Sequence, residues 1–161
     1  KYALEHRSGP VALALTRQKL PVLDRTKYAP AENLVRGAYT LCGHAQPEVL
    51  LIGTGSEVAI ALAAYETLAA EGIPARVVSM PSWELFDQQP ESYRNEVLPP
   101  AVTVRVAVEA GVGMGWERYL GCHGAFVGMK GYGASAPYEI AYRNFGITAD
   151  AVVEAVRRLR S

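Results

Sequence analysis

Acidic, imidazole and indole side chains that could support acid/base chemistry lie close together in one glycine-rich stretch. Glu109 ends an apolar run, and Trp116, Glu117 and His123 follow it within GVGMGWERYLGCHG. A carboxylate and an imidazole on a flexible loop can exchange protons with a substrate near neutral pH. Neither a nucleophile motif nor a pair of spaced carboxylates accompanies them. We therefore interpret the stretch as loop packing or a subunit interface, and we predict no catalytic residue.

A second candidate site is the glycine pair in VLLIGTGSEVAIALAA, residues 49–64. A dinucleotide-binding fingerprint requires a third glycine where Val58 stands, and an acidic residue at the end of the next strand, which here ends near Ser79. Thr54 and Glu57 fit instead the T-x-x-E capping box, in which both side chains bond free amides of the helix. We interpret this segment as a strand-to-helix hinge with a cap, and we predict no cofactor-binding residue.

A third candidate is Arg17, which directly follows the apolar run VALALT, residues 11–16. A basic side chain after a buried strand can be the partner of a carboxylate. It can also bind an oxyanion, because the planar guanidinium offers a fork of donors. The residues alone leave both interpretations open.

Composition excludes several classes of function. Lysine plus arginine equals aspartate plus glutamate at 16 each, so no net charge attracts nucleic acid or anionic lipid. The tyrosines are dispersed and form no RNA-reading pattern. No apolar stretch is long enough to span a membrane.

The cysteines and histidines also predict no special chemistry. Cys42 and Cys122 show neither CxxC nor metal-ligand spacing, so we expect free thiols, a cytoplasmic location and no metal site. His6 and His44 are isolated in the sequence. Because the chain begins with KYALEHRSG and lacks an initiator methionine, we expect it to be a fragment.

The elements that position these residues follow an α/β rhythm. The pattern predicts an α/β fold with a doubly wound, mostly parallel sheet and helices on both faces. A short edge strand at 37–41 could run antiparallel. Further strands are predicted at 49–52, 75–80, 103–109 and 125–129, a turn at 82–86, and helices at 57–71, 89–98, 137–144 and 149–160.

The first residues do not belong to this rhythm. Leu4 to Arg7 resemble the last turn of a helix, and residues 11–16 resemble a strand covered on both faces. The partners of this strand must lie outside the chain or come from the later domain. We predict a terminal strand of another domain over 1–25, a linker over 26–36 and the α/β domain over 37–161.

Several segments in order resemble transketolases, the thiamine diphosphate enzymes that move two-carbon ketol units between sugar phosphates. They are ALTRQKLPVL (14–23), LIGTGSEVAIAL (51–62), ARVVSMPSWELFDQQPESYRNEVLP (75–99) and YGASAPYEIAYRNFGIT (132–148). Together these segments span nearly the whole chain. Tyr132, where many relatives have phenylalanine, is a mild departure that concerns packing.

The resemblance implies which domains of the enzyme this chain contains and what each of them does. Residues 1–25 would be the tail of the pyrimidine-binding domain, and the remainder the C-terminal domain, which packs on it and supports a homodimer. Arg17 matches the arginine that binds the phosphate end of the sugar substrate. Thiamine diphosphate and Mg²⁺ would be held by the missing N-terminal and pyrimidine-binding domains. The chain alone is then expected to be inactive and to leave the cofactor unbound.

Two other functions stay open at this stage. The chain could be one subunit of a split ketolase or of a 2-oxoacid dehydrogenase β-type enzyme. It could also be a stand-alone regulatory or interaction module that binds a small effector at the sheet edge near Glu109 and Gly111.

Overall fold

Five apolar segments form one sheet at the centre of the molecule. The strands are β1 (Tyr39–Gly43), β2 (Val49–Gly53), β3 (Ala75–Ser79), β4 (Val104–Val112) and β5 (Ala125–Met129). This computed structural model describes residues 2–161. The spatial order is β1-β3-β2-β4-β5, with β1 antiparallel to β3 and every other pair parallel. The predicted mostly parallel sheet with an antiparallel edge strand is confirmed.

Helices cover both faces of this sheet, as the sequence predicts. The structure describes α1 (Tyr2–Glu5), α2 (Val58–Ala70), α3 (Trp83–Asp87), α4 (Glu91–Val97), α5 (Glu117–Leu120), α6 (Tyr138–Phe145) and α7 (Ala149–Arg160). Of these, α1 contributes no residue to the cores on the two faces of the sheet. Val49 and Leu51 of β2 pack in a core with residues of α2 and α7. Leu50 and Ile52 pack in a second core with residues of α3, α4 and α5. Successive side chains of a strand point to opposite faces, so β2 supplies both cores.

The connections of β2 create a crevice at one edge of the sheet. After β2 the chain passes through α2 to β3 on one side, and after β3 it crosses to β4 on the other side. The order of the strands therefore reverses at β2. In open α/β sheets, ligands bind at such a switch point, outside the carboxyl ends of the strands. We call the carboxyl ends of β2 and β4, with the loops that follow them, the switch-point edge.

Several boundaries differ from the sequence-based expectation. The predicted turn at 82–86 is wrong: residues 83–87 form α3, because Ser82 caps the helix by accepting a hydrogen bond from the Leu85 amide. Strand β4 continues three residues beyond the predicted end at Glu109 and reaches Val112. The predicted helix at 57–71 is shorter, since α2 spans Val58–Ala70.

The last helix agrees closely with its prediction. It spans Ala149–Arg160, and the Thr148 side chain accepts a hydrogen bond from the Ala151 amide at its start. Val152 and Val156 are buried against the sheet. An N-cap hydroxyl and an amphipathic stripe are local signals, which is why the sequence identifies this helix well.

The region before the sheet is only partly packed. Residues 11–16 form no strand pairing with any of residues 2–161, so the later domain does not supply the partners of the predicted strand. Within the predicted linker 26–36, residues Ala31–Arg36 form a 3-10 helix, and Tyr28 and Ala29 pack against the core. The assignment of 1–25 to another domain stays a prediction.

A buried arginine and a half-buried arginine secure the amino ends of the strands. Arg76 of β3 donates to the carbonyl oxygens of Ala45 and Glu96, and burial lowers its pKa. Arg105 of β4 donates from Nη1 to the Tyr119 carbonyl at 2.6 Å, and also to the carbonyls of Val102 and Pro99. Burial lowers the pKa of Arg105 as well. These bonds hold the loops around α4 and α5 against the sheet.

The arginine contacts predict a specific loss of stability. Arg105→Met keeps the aliphatic stem but removes the guanidinium donors to these carbonyl groups, which should lower the free energy of unfolding by about 1 to 3 kcal/mol. Urea denaturation followed by circular dichroism measures this loss. Arg158→Met, a change at an exposed position of α7, is the control and should cost less than about 0.5 kcal/mol. Equal midpoints for the two variants would contradict the role of Arg105.

Candidate functional site

A buried carboxylate lies at the switch-point edge. Glu57 follows β2 by four residues and is only 5% exposed. Its Oε1 accepts a hydrogen bond from the Ser56 hydroxyl at 2.6 Å and another from the Tyr142 hydroxyl at 2.5 Å. No ion pair to Glu57 occurs among residues 2–161. The two hydroxyl donors thus take the place of water around this group.

These contacts overturn the predicted capping box. The Thr54 side chain makes no capping hydrogen bond, because a 3-10 turn, Gly55–Glu57, precedes α2. The Glu57 carboxylate contacts Tyr142, 85 residues later in the chain, and does not close back on the helix start. A tertiary contact has replaced the local one.

The glycine that precedes this turn is required by close packing. A Cβ atom at Gly53 would lie 2.9 Å from the Val58 Cα atom, closer than side chains tolerate. The backbone of β2 therefore passes directly against the start of α2. This geometry supports the interpretation of the glycine pair as a hinge.

Tyr142 of α6 links the switch-point edge to the first part of the chain. Its hydroxyl oxygen accepts a hydrogen bond from Nε2 of Gln18 at 2.9 Å while its proton is donated to Glu57. Burial and the bond to Glu57 raise the pKa of Tyr142. The hydroxyl is therefore held as a neutral group that both accepts and donates.

An apolar cleft of about 360 Å³ lies beside Tyr142. Val112 and Met129, at the ends of β4 and β5, line it together with Phe145 of α6. Its polar groups are few. Gly111, beside which the sequence left an effector site open, also lines this cleft.

The structure does not bring the predicted acid/base candidates together. The Trp116 ring, 1% exposed, donates from Nε1 to Glu109 Oε2 at 2.7 Å. His123 and Glu117 are exposed, and neither makes a hydrogen bond with Glu109 in the part of the chain that the structure describes. Trp116 packs against other aromatic rings of the second core, namely Trp83, Tyr119 and Phe126. These contacts support the packing interpretation.

Arg17 is exposed and lies beside the anchored Gln18. Across residues 2–161 its guanidinium makes no hydrogen bond and no ion pair. A structural ion pair was one of the two interpretations that the sequence left open, and no such pair forms here. The role of Arg17 in binding an anion stays a prediction.

The remaining candidates make ordinary contacts. Burial raises the pKa of the Cys42 thiol to about 11, and Cys122 is exposed; both cysteines are free. His6 contacts the Tyr2 hydroxyl, and His44 contacts the Gln46 backbone. Within residues 2–161, no group of three or more histidine, cysteine, aspartate or glutamate side chains is placed to hold a metal ion.

The fold and the switch-point geometry define the class as a doubly wound α/β domain with an antiparallel edge strand. The family model described as "Transketolase-like TK C-terminal domain" matches residues 37–148. The chain therefore belongs to the family of transketolase-like C-terminal domains, as the sequence motifs implied.

Curated relatives extend this similarity beyond the domain. The chain is 52% identical over 160 residues to transketolase 1 of Escherichia coli, and 48% identical over 161 residues to the transketolase of Geobacillus stearothermophilus. Each match covers 99% of this chain but 24% of the relative, so the chain spans about a quarter of their length.

Solved transketolase structures share the fold. A transketolase from Leishmania mexicana matches 81% of this chain and 19% of its own, with a TM-score of 0.73 and 43% identity. A Pichia stipitis transketolase, in complex with sedoheptulose 7-phosphate, matches 89% of this chain and 20% of its own, with a TM-score of 0.79 and 33% identity. None of the helices that the structure describes is long and apolar enough to cross a membrane.

Sequence reasoning missed the hydrogen bonds that connect Gln18 through Tyr142 to Glu57. Tyr142 and Gln18 lie 124 residues apart, and neither was singled out as a site residue. The available signals were weak: Gln18 adjoins Arg17, and Tyr142 follows Tyr138 by one helical turn. Neither signal predicts that Gln18 and Tyr142 contact each other.

The contact between Trp116 and Glu109 predicts a coupled effect on stability. Trp116→Phe should lower the free energy of unfolding, and in a Glu109→Leu background the same change should cost about 1 kcal/mol less, because the lost hydrogen bond is already absent. A double-mutant cycle by urea denaturation measures the difference. Identical costs in the two backgrounds would show that the indole contributes only by its packing.

Proposed function

We propose that this chain works as the C-terminal portion of a transketolase, which transfers two-carbon ketol units between sugar phosphates. The observation that carries the proposal is the identity of 52% to a transketolase along nearly all of this chain. The match includes ALTRQ, residues 14–18, which lies outside the family model.

The proposed cofactors, thiamine diphosphate and Mg²⁺, are assigned to parts of the enzyme other than this chain. Among residues 2–161 no three histidine, cysteine, aspartate or glutamate side chains are grouped so that they could hold a metal ion. Thiamine diphosphate, when bound, supplies the carbanion that accepts the two-carbon unit. The residues of this chain are assigned to packing between domains, to the support of a homodimer and to substrate recognition.

An exposed apolar segment supports the packing role. Leu13, Leu15 and Val22 are 70%, 82% and 98% exposed. Contiguous apolar side chains on a surface mark sites of protein contact. We propose that the rest of the pyrimidine-binding domain covers them in a cytoplasmic enzyme.

The open guanidinium of Arg17 supports the recognition role. It is exposed, and none of the described carboxylates neutralises it. A guanidinium can bind phosphate oxygens through two parallel hydrogen bonds, which fixes the orientation of the substrate as well as its position. We assign Arg17 to the phosphate group of the sugar.

A chimeric enzyme tests the proposed function. The matched quarter of Escherichia coli transketolase 1 is replaced by this chain, and ketol transfer between sugar phosphates is measured with thiamine diphosphate and Mg²⁺. We expect activity within about tenfold of the parent, because this chain is 52% identical to the segment that it replaces. A parent truncated before the same region is the inactive control.

The outcomes separate this function from its alternatives. A folded dimeric chimera without transfer activity would contradict the proposal. Restored activity after the chain is mixed, as a separate polypeptide, with the truncated parent would favour a split-subunit arrangement.

The role of Arg17 predicts a selective kinetic defect. In the chimera, Arg17→Ala should raise the KM for phosphorylated acceptors by an amount equivalent to about 1.5 to 3 kcal/mol, as expected for a lost charge-assisted hydrogen bond. Steady-state kinetics with an aldose phosphate and with the same aldose lacking phosphate measure this selectivity. Lys19→Ala removes the same charge from the same exposed segment and is the matched control. An equal rise in KM for both acceptors would contradict the assignment of Arg17 to the phosphate group.

A further inference from the structure

The Gln18, Tyr142, Glu57 and Ser56 side chains form a continuous hydrogen-bonded chain. Gln18 Nε2 donates to the Tyr142 hydroxyl at 2.9 Å, and that hydroxyl donates to Glu57 Oε1 at 2.5 Å. The Ser56 hydroxyl donates to the same oxygen at 2.6 Å. Tyr142 is thus an acceptor toward one partner and a donor toward the other. Successive bonds of this kind polarise and strengthen one another in a buried setting.

Glu57, at the buried end of this series of hydrogen bonds, fixes the orientation of the Tyr142 hydroxyl. Glu57 is 5% exposed, and its carboxylate lies at the switch-point edge without a cation among the described residues. Removal of a donor from a buried carboxylate is costly, so the Tyr142 proton is held toward Glu57. The lone pairs of the hydroxyl oxygen are then left for Gln18.

Gln18, at the other end of this series of hydrogen bonds, links the first segment to the sheet. Within the described part of the sequence, the bond from Gln18 to Tyr142 is the only hydrogen bond that joins residues 6–22 to residues 37–161. Much of the segment is exposed, including Leu13, Leu15 and Arg17. Successive Cα atoms are about 3.8 Å apart, so a fixed Gln18 also limits where the backbone of Arg17 can lie.

We propose that Tyr142 and Glu57 are positioning residues for Arg17, which they hold at the switch-point edge through Gln18 so that its guanidinium faces the phosphate of the sugar. This inference rests on the proposed function. It adds that the recognition of the phosphate depends on α6 and on a buried carboxylate, neither of which contacts the substrate.

Kinetics of the chimeric enzyme provide the first test. Tyr142→Phe removes one hydroxyl and retains the ring, so it should raise the KM for the aldose phosphate about three- to tenfold relative to the KM for the unphosphorylated aldose, the range expected for one hydrogen bond. Gln18→Ala should cause the same change. The double variant should be no worse than either single variant, because all three remove the same link.

Matched variants make these results specific. Tyr65→Phe alters a half-buried tyrosine of α2 whose hydroxyl has no hydrogen bond within residues 2–161, and it should leave the selectivity unchanged. In an Arg17→Ala background, Tyr142→Phe should have no further effect on phosphate selectivity. A purely structural role of Tyr142 would instead affect both acceptors equally and would persist in that background.

Proteolysis of the 161-residue chain gives a readout that does not depend on catalysis. Trypsin cleaves after Arg17, and cleavage should be several-fold faster in Tyr142→Phe and Gln18→Ala than in the parent or in Tyr65→Phe, because an exposed segment is cut when its backbone is released. Gln18→Ala serves if Tyr142→Phe fails to fold.

The results distinguish failure of this inference from failure of the proposed function. Loss of phosphate selectivity in Arg17→Ala, together with unchanged selectivity and unchanged cleavage in Tyr142→Phe and Gln18→Ala, would overturn the inference and leave the proposed function intact. No selectivity defect in Arg17→Ala would overturn the role of Arg17 and the inference with it. Faster cleavage with matching selectivity defects supports both.

Discussion

The burial of β2 on both faces is the constraint on which the rest of the structure depends. All five of its residues are buried, and it pairs with β3 on one edge and with β4 on the other. Each aliphatic side chain removed from water contributes about 1.5 to 3 kcal/mol, so neither face can be left uncovered. The chain must therefore supply helices on both faces of the sheet. To do so, it places β3 on one side of β2 and β4 on the other. The switch-point edge is a consequence of this packing.

The two ends of the sheet satisfy their polar groups by different means. At the amino ends, Arg76 and Arg105 donate to backbone carbonyls and hold the loops around α4 and α5 in place. At the carboxyl ends, hydroxyl groups donate to the Glu57 carboxylate. In the first arrangement, all the carbonyl groups that accept from the arginines belong to the α/β domain. The second arrangement includes Gln18, which belongs to a segment outside the sheet. The carboxyl end of the sheet is therefore the end that is linked to this segment.

Local signals allowed most of the sheet to be predicted. Strand β2 is a continuous apolar run and α7 begins at a capping threonine, so their boundaries follow from nearby residues. The order of these elements was enough to predict a doubly wound sheet. The capping box failed because of a contact between distant residues: Thr54 and Glu57 match its pattern, yet the Glu57 carboxylate accepts a hydrogen bond from Tyr142.

The site was harder to predict than the fold for the same reason. The glycine-rich stretch near Glu109 attracted attention because it concentrates chemical side chains, but its carboxylate is occupied by Trp116. The role of Arg17 came from the resemblance to a family and could not be chosen from the residues alone. Pairing of Gln18 with Tyr142 depends on how α6 packs over the sheet, and no spacing in the sequence encodes that placement.

An arginine that recognises a phosphate has to meet two opposing demands. Its guanidinium must stay exposed and unpaired until the anion arrives, yet its backbone must be ordered so that the anion does not bear the cost of ordering it. Arg17 meets the first demand because the described residues offer it no carboxylate. A single hydrogen bond at the next residue addresses the second, since it restrains the backbone without contacting the guanidinium. In the proposed arrangement, this bond lies between an exposed apolar segment and a buried carboxylate, and through it Tyr142 of α6 would influence a charge that it does not touch.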